Sequence, residues 1–250
     1  MPNVVELAHL CAASYEDITE VLVPVLPGAG AAAGSSSAPP PIFRPSGICS
    51  PPPVDRDSVW RRAGVHSNRA GYHASLYVKG DQRVIAFRGT DDLMDTLVDD
   101  VSITAGLIPP QAIAAARTVG TWVGTGNTYL TGHSLGGALA ILSTTYFNRP
   151  CVSFNAPGVR DLCVRMSSHQ SALDRTMSAV SRCVNNPRVL NIRVDGDPVS
   201  SFFTTGFQAG GDARSYSGAS CGLDALCRHG IRTCINAVSG DPRNYQELRL

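Results

Sequence analysis

Apolar and polar positions repeat along the chain with two different periods, one typical of strands and one typical of helices. Two short alternating runs, Tyr72–Val78 and Arg83–Arg88, are joined by four turn-forming residues and predict a β-hairpin. Further apolar runs of strand length predict strands at Thr128–Thr131, Cys151–Phe154 and Val189–Val194.

Helical patterns precede these strands and fall between them. They are predicted at residues 3–20, 91–101, 110–123 and 135–147, within residues 159–184, and around residues 224–238. Strands that alternate with helices favour an α/β fold with a mostly parallel central sheet, covered by helices on both faces. The chain of 250 residues is long enough for one such domain, and we expect residues 1–250 to form a single one.

Residues 23–53 interrupt this pattern. The segment is rich in Pro, Gly, Ala and Ser and holds nine of the 17 prolines, so regular strands and helices are not expected there. We interpret it as an irregular insertion at the surface of the domain.

Net charge and hydropathy exclude several classes of partner. The formal charge is +1 and charged residues make up 16% of the chain, so there is no basic stripe for nucleic acid. No apolar run approaches the roughly 18 residues that a membrane-spanning helix needs. Glu6, Glu16 and Asp17 precede the first Lys or Arg, so no secretory signal peptide is visible. We expect a cytoplasmic protein, one whose signal has been removed, or one exported by a signal-independent route.

The eight cysteines permit disulfides without requiring them. No Cys-x-x-Cys pair or Cys/His spacing typical of zinc ligands is present, so neither a metal nor a cofactor is expected. Cys221, Cys227 and Cys234 lie close together in the sequence, where a cross-link could hold a loop near His229. An oxidising compartment and reduced, buried thiols are alternatives that the sequence leaves open.

The most informative segment is Thr128–Ala140, in which a β-prone run is followed by a glycine-flanked serine and then by a helix of small and apolar residues. A sharp turn from strand to helix strains the turn residue, and Gly132 and Gly136 leave room for close backbone contacts. Ser134 is then expected to present its hydroxyl at the edge of the sheet. The Gly-x-Ser-x-Gly pattern is common by chance, so its specificity comes from the strand before it and the helix after it.

A serine hydroxyl needs a base that accepts its proton and an acid that orients the base. In α/β hydrolases these partners follow the serine in the order acid, then histidine. His133, beside the serine, is expected to point to the other side of the strand. His169 lies in a polar helical stretch with no acid before it at a strand end, so His229 is the predicted base.

Asp197 is the predicted acid, because it follows the strand Val189–Val194 in a turn that Pro198 fixes. Catalytic groups of open α/β sheets gather at this edge. Asp195 is the alternative, and for either aspartate a simple turn-forming role is the competing interpretation.

Two donors are predicted for the oxyanion that forms during ester cleavage. The backbone N–H of Leu135 is one, since it directly follows the serine. Thr90, at the end of a strand, is the other, through its N–H and its hydroxyl; a helix cap is a compatible second role.

Several blocks of the sequence resemble the class 3 lipase family. They are Phe87-Arg-Gly-Thr90, Asp95-Thr-Leu-Val-Asp-Asp100, Thr131-Gly-His-Ser-Leu-Gly-Gly-Ala-Leu-Ala140, Ser153-Phe-Asn-Ala-Pro-Gly158 and Asp197-Pro-Val199, followed by a late histidine. The resemblance implies an α/β hydrolase fold and hydrolysis of lipid carboxylic esters. Carried over by motif, it also implies a Ser134, Asp197 and His229 triad with an oxyanion hole at Thr90 and Leu135.

The chain departs from that family in two places. Thr96 stands where members usually have tryptophan, and Leu107–Gln111 stands where they usually have a His-x-Gly-Phe block. The segment Asp91–Ile108 is amphipathic, and we interpret it either as a movable cover of the site or as a helix packed in the core.

The expected function is that of a serine hydrolase that cleaves carboxylic esters of lipids, acylglycerols or phospholipids, presented at an interface. Two alternatives stay open from the sequence. One is an antibacterial phospholipase effector with a cognate inhibitor protein, and the other is a non-catalytic lipid-binding protein on the same fold.

Overall fold

The computed structural model of the chain describes residues 1–24, 59–69, 71–89, 110–124, 126–159, 186–202 and 212–250. The predicted helices at 91–101 and within 159–184, and nearly all of the predicted insertion at 23–53, lie outside the described residues.

Eight strands in the described residues form one sheet, and their order across the sheet follows their order along the chain. They are β1 (Glu20–Val21), β2 (Trp60–Ser67), β3 (His73–Lys79), β4 (Gln82–Phe87), β5 (Asn127–His133), β6 (Cys151–Phe154), β7 (Val189–Val194) and β8 (Asp212–Tyr216). The pairings from β1 to β4 are antiparallel, and those from β4 to β8 are parallel. The predicted hairpin is β3 and β4, and the mostly parallel sheet is confirmed.

Six α-helices accompany the strands in these ranges. They are α1 (Val4–Ala13), α2 (Pro110–Trp122), α3 (Leu135–Phe147), α4 (Pro198–Phe202), α5 (Ala225–His229) and α6 (Ile231–Ser239), with single 3-10 turns at Ala219–Cys221 and Pro242–Tyr245. None of these described helices is long and apolar enough to cross a membrane.

Strand β4 shows how the sheet separates two cores. Val84 and Ala86 belong to a buried cluster with side chains from α1 and α6. Ile85 and Phe87 belong to a second cluster with side chains from α2 and α3. Because successive side chains of a strand point to opposite faces, helices cover the sheet on both sides, as an α/β hydrolase fold requires.

Helix α1 is fixed at its start by a reciprocal cap. The Asn3 side chain accepts the Glu6 N–H, and the Glu6 carboxylate accepts the Asn3 N–H, each at 2.9 Å. The same carboxylate accepts the Trp60 indole N–H at 3.0 Å and pairs with Lys79, so α1 is attached to β2 and β3. The helix ends at Ala13, earlier than the predicted residue 20, because the chain must turn there to bring β1 into the sheet.

The sequence analysis missed three strands, the short helix α4 and one break between helices; the two-residue strand β1 lies where the first helix was predicted to end. Trp60–Ser67 and Asp212–Tyr216 carry mostly polar, partly exposed side chains, so neither shows the apolar pattern of a buried strand. The single helix predicted around 224–238 is two helices, which meet at Gly230.

Candidate active site

Ser134 lies in the turn between β5 and α3 and is 3% exposed. Its φ of 56° and ψ of −130° form a conformation that side-chain-bearing residues rarely adopt, at a cost of about 1–3 kcal/mol. Its N–H donates to the carbonyl of Phe154 at 3.0 Å, and its own carbonyl accepts the N–H of Ala138 at 3.2 Å. A strained, non-glycine residue held between strand and helix is the geometry of a nucleophile elbow.

Glycines allow this turn to pack closely. A side-chain carbon at Gly136 would overlap the backbone carbonyl of Phe87, and one at Gly132 would overlap the backbone of Gly136. One at Gly137 would lie 2.7 Å from Cβ of Ala156. The start of α3 therefore packs on the ends of β4 and β5, as the sequence predicts for Gly132 and Gly136.

Asp197 is fully buried at the start of α4, after the turn that ends β7. Its Oδ2 accepts the backbone N–H of Ser200 at 2.7 Å, and its Oδ1 accepts that of Val199 at 3.4 Å. These donors partly replace the water that burial removes from the carboxylate. Asp195, the alternative acid, is exposed.

His229, the last residue of α5, lies against that carboxylate. Its Nδ1 is 2.6 Å from Oδ1 of Asp197, and both side chains are buried. A carboxylate oxygen can only accept, so Nδ1 carries the proton and Nε2 is left as the basic nitrogen. Nε2 is buried and has no hydrogen-bond partner in the described part of the chain, Ser134 included.

The backbone of His229 is attached directly to the serine turn. Its carbonyl lies 2.6 Å from Nε2 of His133, the residue before Ser134, and the two imidazole rings are 4.6 Å apart. The same carbonyl accepts Nδ2 of Asn155 at 3.0 Å. The structure thus brings Ser134, Asp197 and His229 together at one edge of the sheet.

A disulfide between Cys221 and Cys227 closes the loop before His229. The predicted cross-link near this histidine is therefore present. Among the described residues, Cys11, Cys151 and Cys234 are free and buried, so both oxidised and reduced cysteines occur in the structure.

Of the two predicted oxyanion donors, Leu135 lies within the described residues. Leu135 is the first residue of α3, where a backbone N–H has no acceptor within the helix. Thr90 lies outside the described residues. Gly89, its predecessor, is beside the serine, because a side-chain carbon placed there would lie 3.3 Å from Cβ of Ser134.

Two residues that contact the site were missed in the sequence. Asn155, at a φ of 45°, accepts the N–H of Val194 on its Oδ1 at 2.9 Å while its Nδ2 reaches the carbonyls of Arg228 and His229. The sequence feature that could have identified Asn155 is its position directly after the buried strand β6. Tyr15 bonds to the serine turn from the far N-terminal part of the chain, and no local pattern marks it.

Residues 53–245 match a family described as a Tle-like phospholipase domain. The chain belongs to the Tle-like phospholipase family. An extracellular phospholipase A1 of Serratia liquefaciens is 36% identical to it over 107 residues, which are 40% of this chain and 31% of that protein. The expected relation to lipases and phospholipases is thereby confirmed.

Solved lipase structures are similar to this Tle-like phospholipase domain at low identity. The native propeptide complex of Rhizomucor miehei lipase matches with a TM-score of 0.42 and 14% identity, over 64% of this chain and 58% of that one. Lipase II of Rhizopus niveus matches with a TM-score of 0.38 and 14% identity, over 56% and 59%.

A methyl group at Gly136 tests the packing of the serine turn in this member of the Tle-like phospholipase family. Gly136→Ala should lower the free energy of unfolding by about 3 kcal/mol or more, because the overlap is with backbone and cannot be relieved by a rotamer change. Gly120→Ala is the matched control on α2: its added carbon meets only the Phe147 ring, at 3.7 Å, and should stabilise by about 0.5–1 kcal/mol. Equal effects in urea denaturation would contradict this account of the turn.

Burial, together with the neighbouring His229, lowers the pKa of His133 to about 3. The unfolded chain binds a proton at this residue near pH 6.5, so its contribution to stability is complete above that pH and is lost as pH falls toward 3. Between pH 7 and pH 5 the loss should be about 2 kcal/mol. Urea denaturation of His133→Gln should lack this increment, and an unchanged pH dependence in the variant would contradict it.

Proposed function

We propose that this chain is a serine hydrolase that cleaves carboxylic esters of lipids through an acyl-enzyme. One observation carries the proposal: a buried imidazole is held by a buried carboxylate at 2.6 Å, and its backbone is bonded to the turn that bears a strained serine. An oriented histidine whose second ring nitrogen has no partner is what a serine nucleophile requires.

In the proposed mechanism, Ser134 Oγ attacks the ester carbonyl while Nε2 of His229 takes its proton. Asp197 keeps the proton on Nδ1 and stabilises the imidazolium that forms. The missing bond between Nε2 and Ser134 is consistent with this role, since catalytic hydrogen bonds commonly tighten only when substrate binds. His229 then protonates the leaving alcohol, and a water activated by the same nitrogen releases the fatty acid.

The tetrahedral intermediate carries a negative oxygen that needs fixed donors. We assign the N–H of Leu135 as one of them and Thr90 as the other. Gly89 cannot supply the second donor, because its N–H already donates to Tyr15 Oη at 2.8 Å. Removal of one such donor typically costs about 3 kcal/mol of transition-state stabilisation.

A lipid surface as the source of substrate is supported by the loop next to His229. Leu223 is 100% exposed and Leu226 is 55% exposed on the segment that the disulfide closes. The two charged side chains on this segment already have backbone partners, since Asp224 caps α5 and Arg228 binds the carbonyls of Asp195 and Gly222. Exposed leucines on a cross-linked loop are suited to contact hydrocarbon at an interface.

The serine is tested first. Ser134→Ala should abolish release of fatty acid from phospholipid and triglyceride, measured by mass spectrometry, while circular dichroism stays native. Asp197→Asn should lower kcat about 10⁴-fold, because it favours the wrong histidine tautomer. Turnover retained by Ser134→Ala would refute the mechanism, and failure of a fluorophosphonate to label wild-type Ser134 would favour a non-catalytic lipid-binding protein.

The role of the exposed leucines is tested by comparing rates on a monomeric ester and on phospholipid vesicles. The double variant Leu223→Ser/Leu226→Ser should hydrolyse a monomeric short-chain ester normally but lose about tenfold in rate on phospholipid vesicles, as buried apolar area at the interface is lost. The control Leu22→Ser/Val65→Ser alters two other exposed side chains, 58% and 44% exposed, and should keep both rates. Equal loss on both substrates would contradict an interfacial role.

A further inference from the structure

Tyr15 lies just beyond the C-terminal end of α1 and outside residues 53–245, the part that matches the family. Its hydroxyl accepts the backbone N–H of Gly89 at 2.8 Å. It also lies 3.2 Å from Nδ1 of His133. One phenol therefore bonds to the end of β4 and to the residue before Ser134.

Carbonyl oxygens, which can only accept, set the direction of the hydrogen bonds in this group. The carbonyl of His229 can only accept, so Nε2 of His133, 2.6 Å away, carries the ring proton. Nδ1 of the neutral ring is then an acceptor for the single hydroxyl proton of Tyr15, and at 3.2 Å it lies nearer to that oxygen than the carbonyl of His133 does, at 3.4 Å. The chain of bonds runs from Gly89 N–H to Tyr15, to His133, and on to the carbonyl of His229.

The proton positions in this chain are fixed over the physiological pH range. Burial lowers the pKa of His133 to about 3, so the ring stays neutral. Burial also raises the pKa of Tyr15, so the phenol stays protonated. The group therefore holds a constant geometry and does not carry protons to the reaction.

The absence of a side chain at Gly89, just after β4, leaves room for the Tyr15 hydroxyl. Gly89 is buried, and a side-chain carbon there would lie 2.5 Å from Tyr15 Oη and 2.7 Å from the carbonyl of His133. With any larger residue the phenol could not reach the N–H. The next residue along the chain, Thr90, is the one assigned above as an oxyanion donor.

We propose that Tyr15 and His133 are positioning residues, which together hold the end of β4, the serine turn and the segment of His229 in one arrangement. The inference rests on the proposed function. In the proposed mechanism Ser134, His229 and Thr90 act on the same ester carbonyl of the substrate, and each comes from a separate segment. An error of about 1 Å in their relative placement can cost 100-fold in rate. Hydrogen bonds through one phenol and one imidazole connect all three.

Tyr15→Phe keeps the ring and removes only the hydroxyl. We expect kcat on a soluble ester to fall about 10- to 100-fold with KM changed less than twofold, because the groups remain present but are misaligned. Tyr77→Phe is the matched control: Tyr77 is also buried, and its hydroxyl donates to the backbone carbonyl of Ile18 at 3.2 Å, away from the serine. It should lose comparable stability and keep kcat within twofold. Equal kcat for Tyr15→Phe and wild type, or an equal fall in both variants, would overturn the proposal.

A double-mutant cycle tests whether the two residues act in series. His133→Leu should lower kcat as well, and the double variant Tyr15→Phe/His133→Leu should lose no more than His133→Leu alone. If the fall in kcat of the double variant equals the product of the two single falls, the residues act independently and the proposed connection between them is overturned.

The arrangement can be measured without turnover, which separates its failure from that of the proposed function. In protein with ¹⁵N-labelled histidine, the His133 ring of the wild type should be the Nε2-protonated neutral tautomer from pH 5 to pH 8. Tyr15→Phe should shift the ring signals of His133 and His229, and Tyr77→Phe should not. An Nδ1-protonated His133, or a His229 signal unchanged by Tyr15→Phe, would overturn the inference even in an inactive protein.

Discussion

The close backbone contact between the start of α3 and the ends of β4 and β5 is the constraint on which the site depends. At Gly136 the helix touches the carbonyl of Phe87 with no space for a side chain between them. This contact forces the chain to turn within one residue, and Ser134 takes the strained conformation that results. It also brings the residue before Thr90 beside the serine. One steric condition thereby sets the positions of the proposed nucleophile and of the strand end that flanks it.

The segment that carries His229 is attached to this edge mainly by polar contacts. Residues 222–227 are exposed, so α5 contributes little to either core. Its position depends instead on the carboxylate of Asp197, the amide of Asn155, the imidazole of His133 and the disulfide from Cys221 to Cys227. Hydrogen bonds are directional, whereas apolar packing is not, so this attachment specifies orientation as well as proximity.

Much of this arrangement could be predicted from local patterns. The serine turn, the aspartate after β7 and the buried strands each have a signature within a few residues, and the structure brings the three predicted side chains together. Strands β2 and β8 have no such signature, because their polar side chains face solvent near the edges of the sheet. Tyr15 could not be predicted, since its contacts join residues far apart in sequence and only the packing of α1 brings them together. The catalytic roles themselves stay a proposal.

The order of the strands across the sheet follows their order along the chain, so during ribosomal synthesis each new strand finds its partner already made. Ser134 directly follows the fifth of the eight described strands, whereas the imidazole assigned to activate it arrives 95 residues later, after the sheet has gained its last described strand. A nascent chain would therefore carry an unactivated alcohol. Under the proposed mechanism, ester hydrolysis can begin only after translation has passed residue 229.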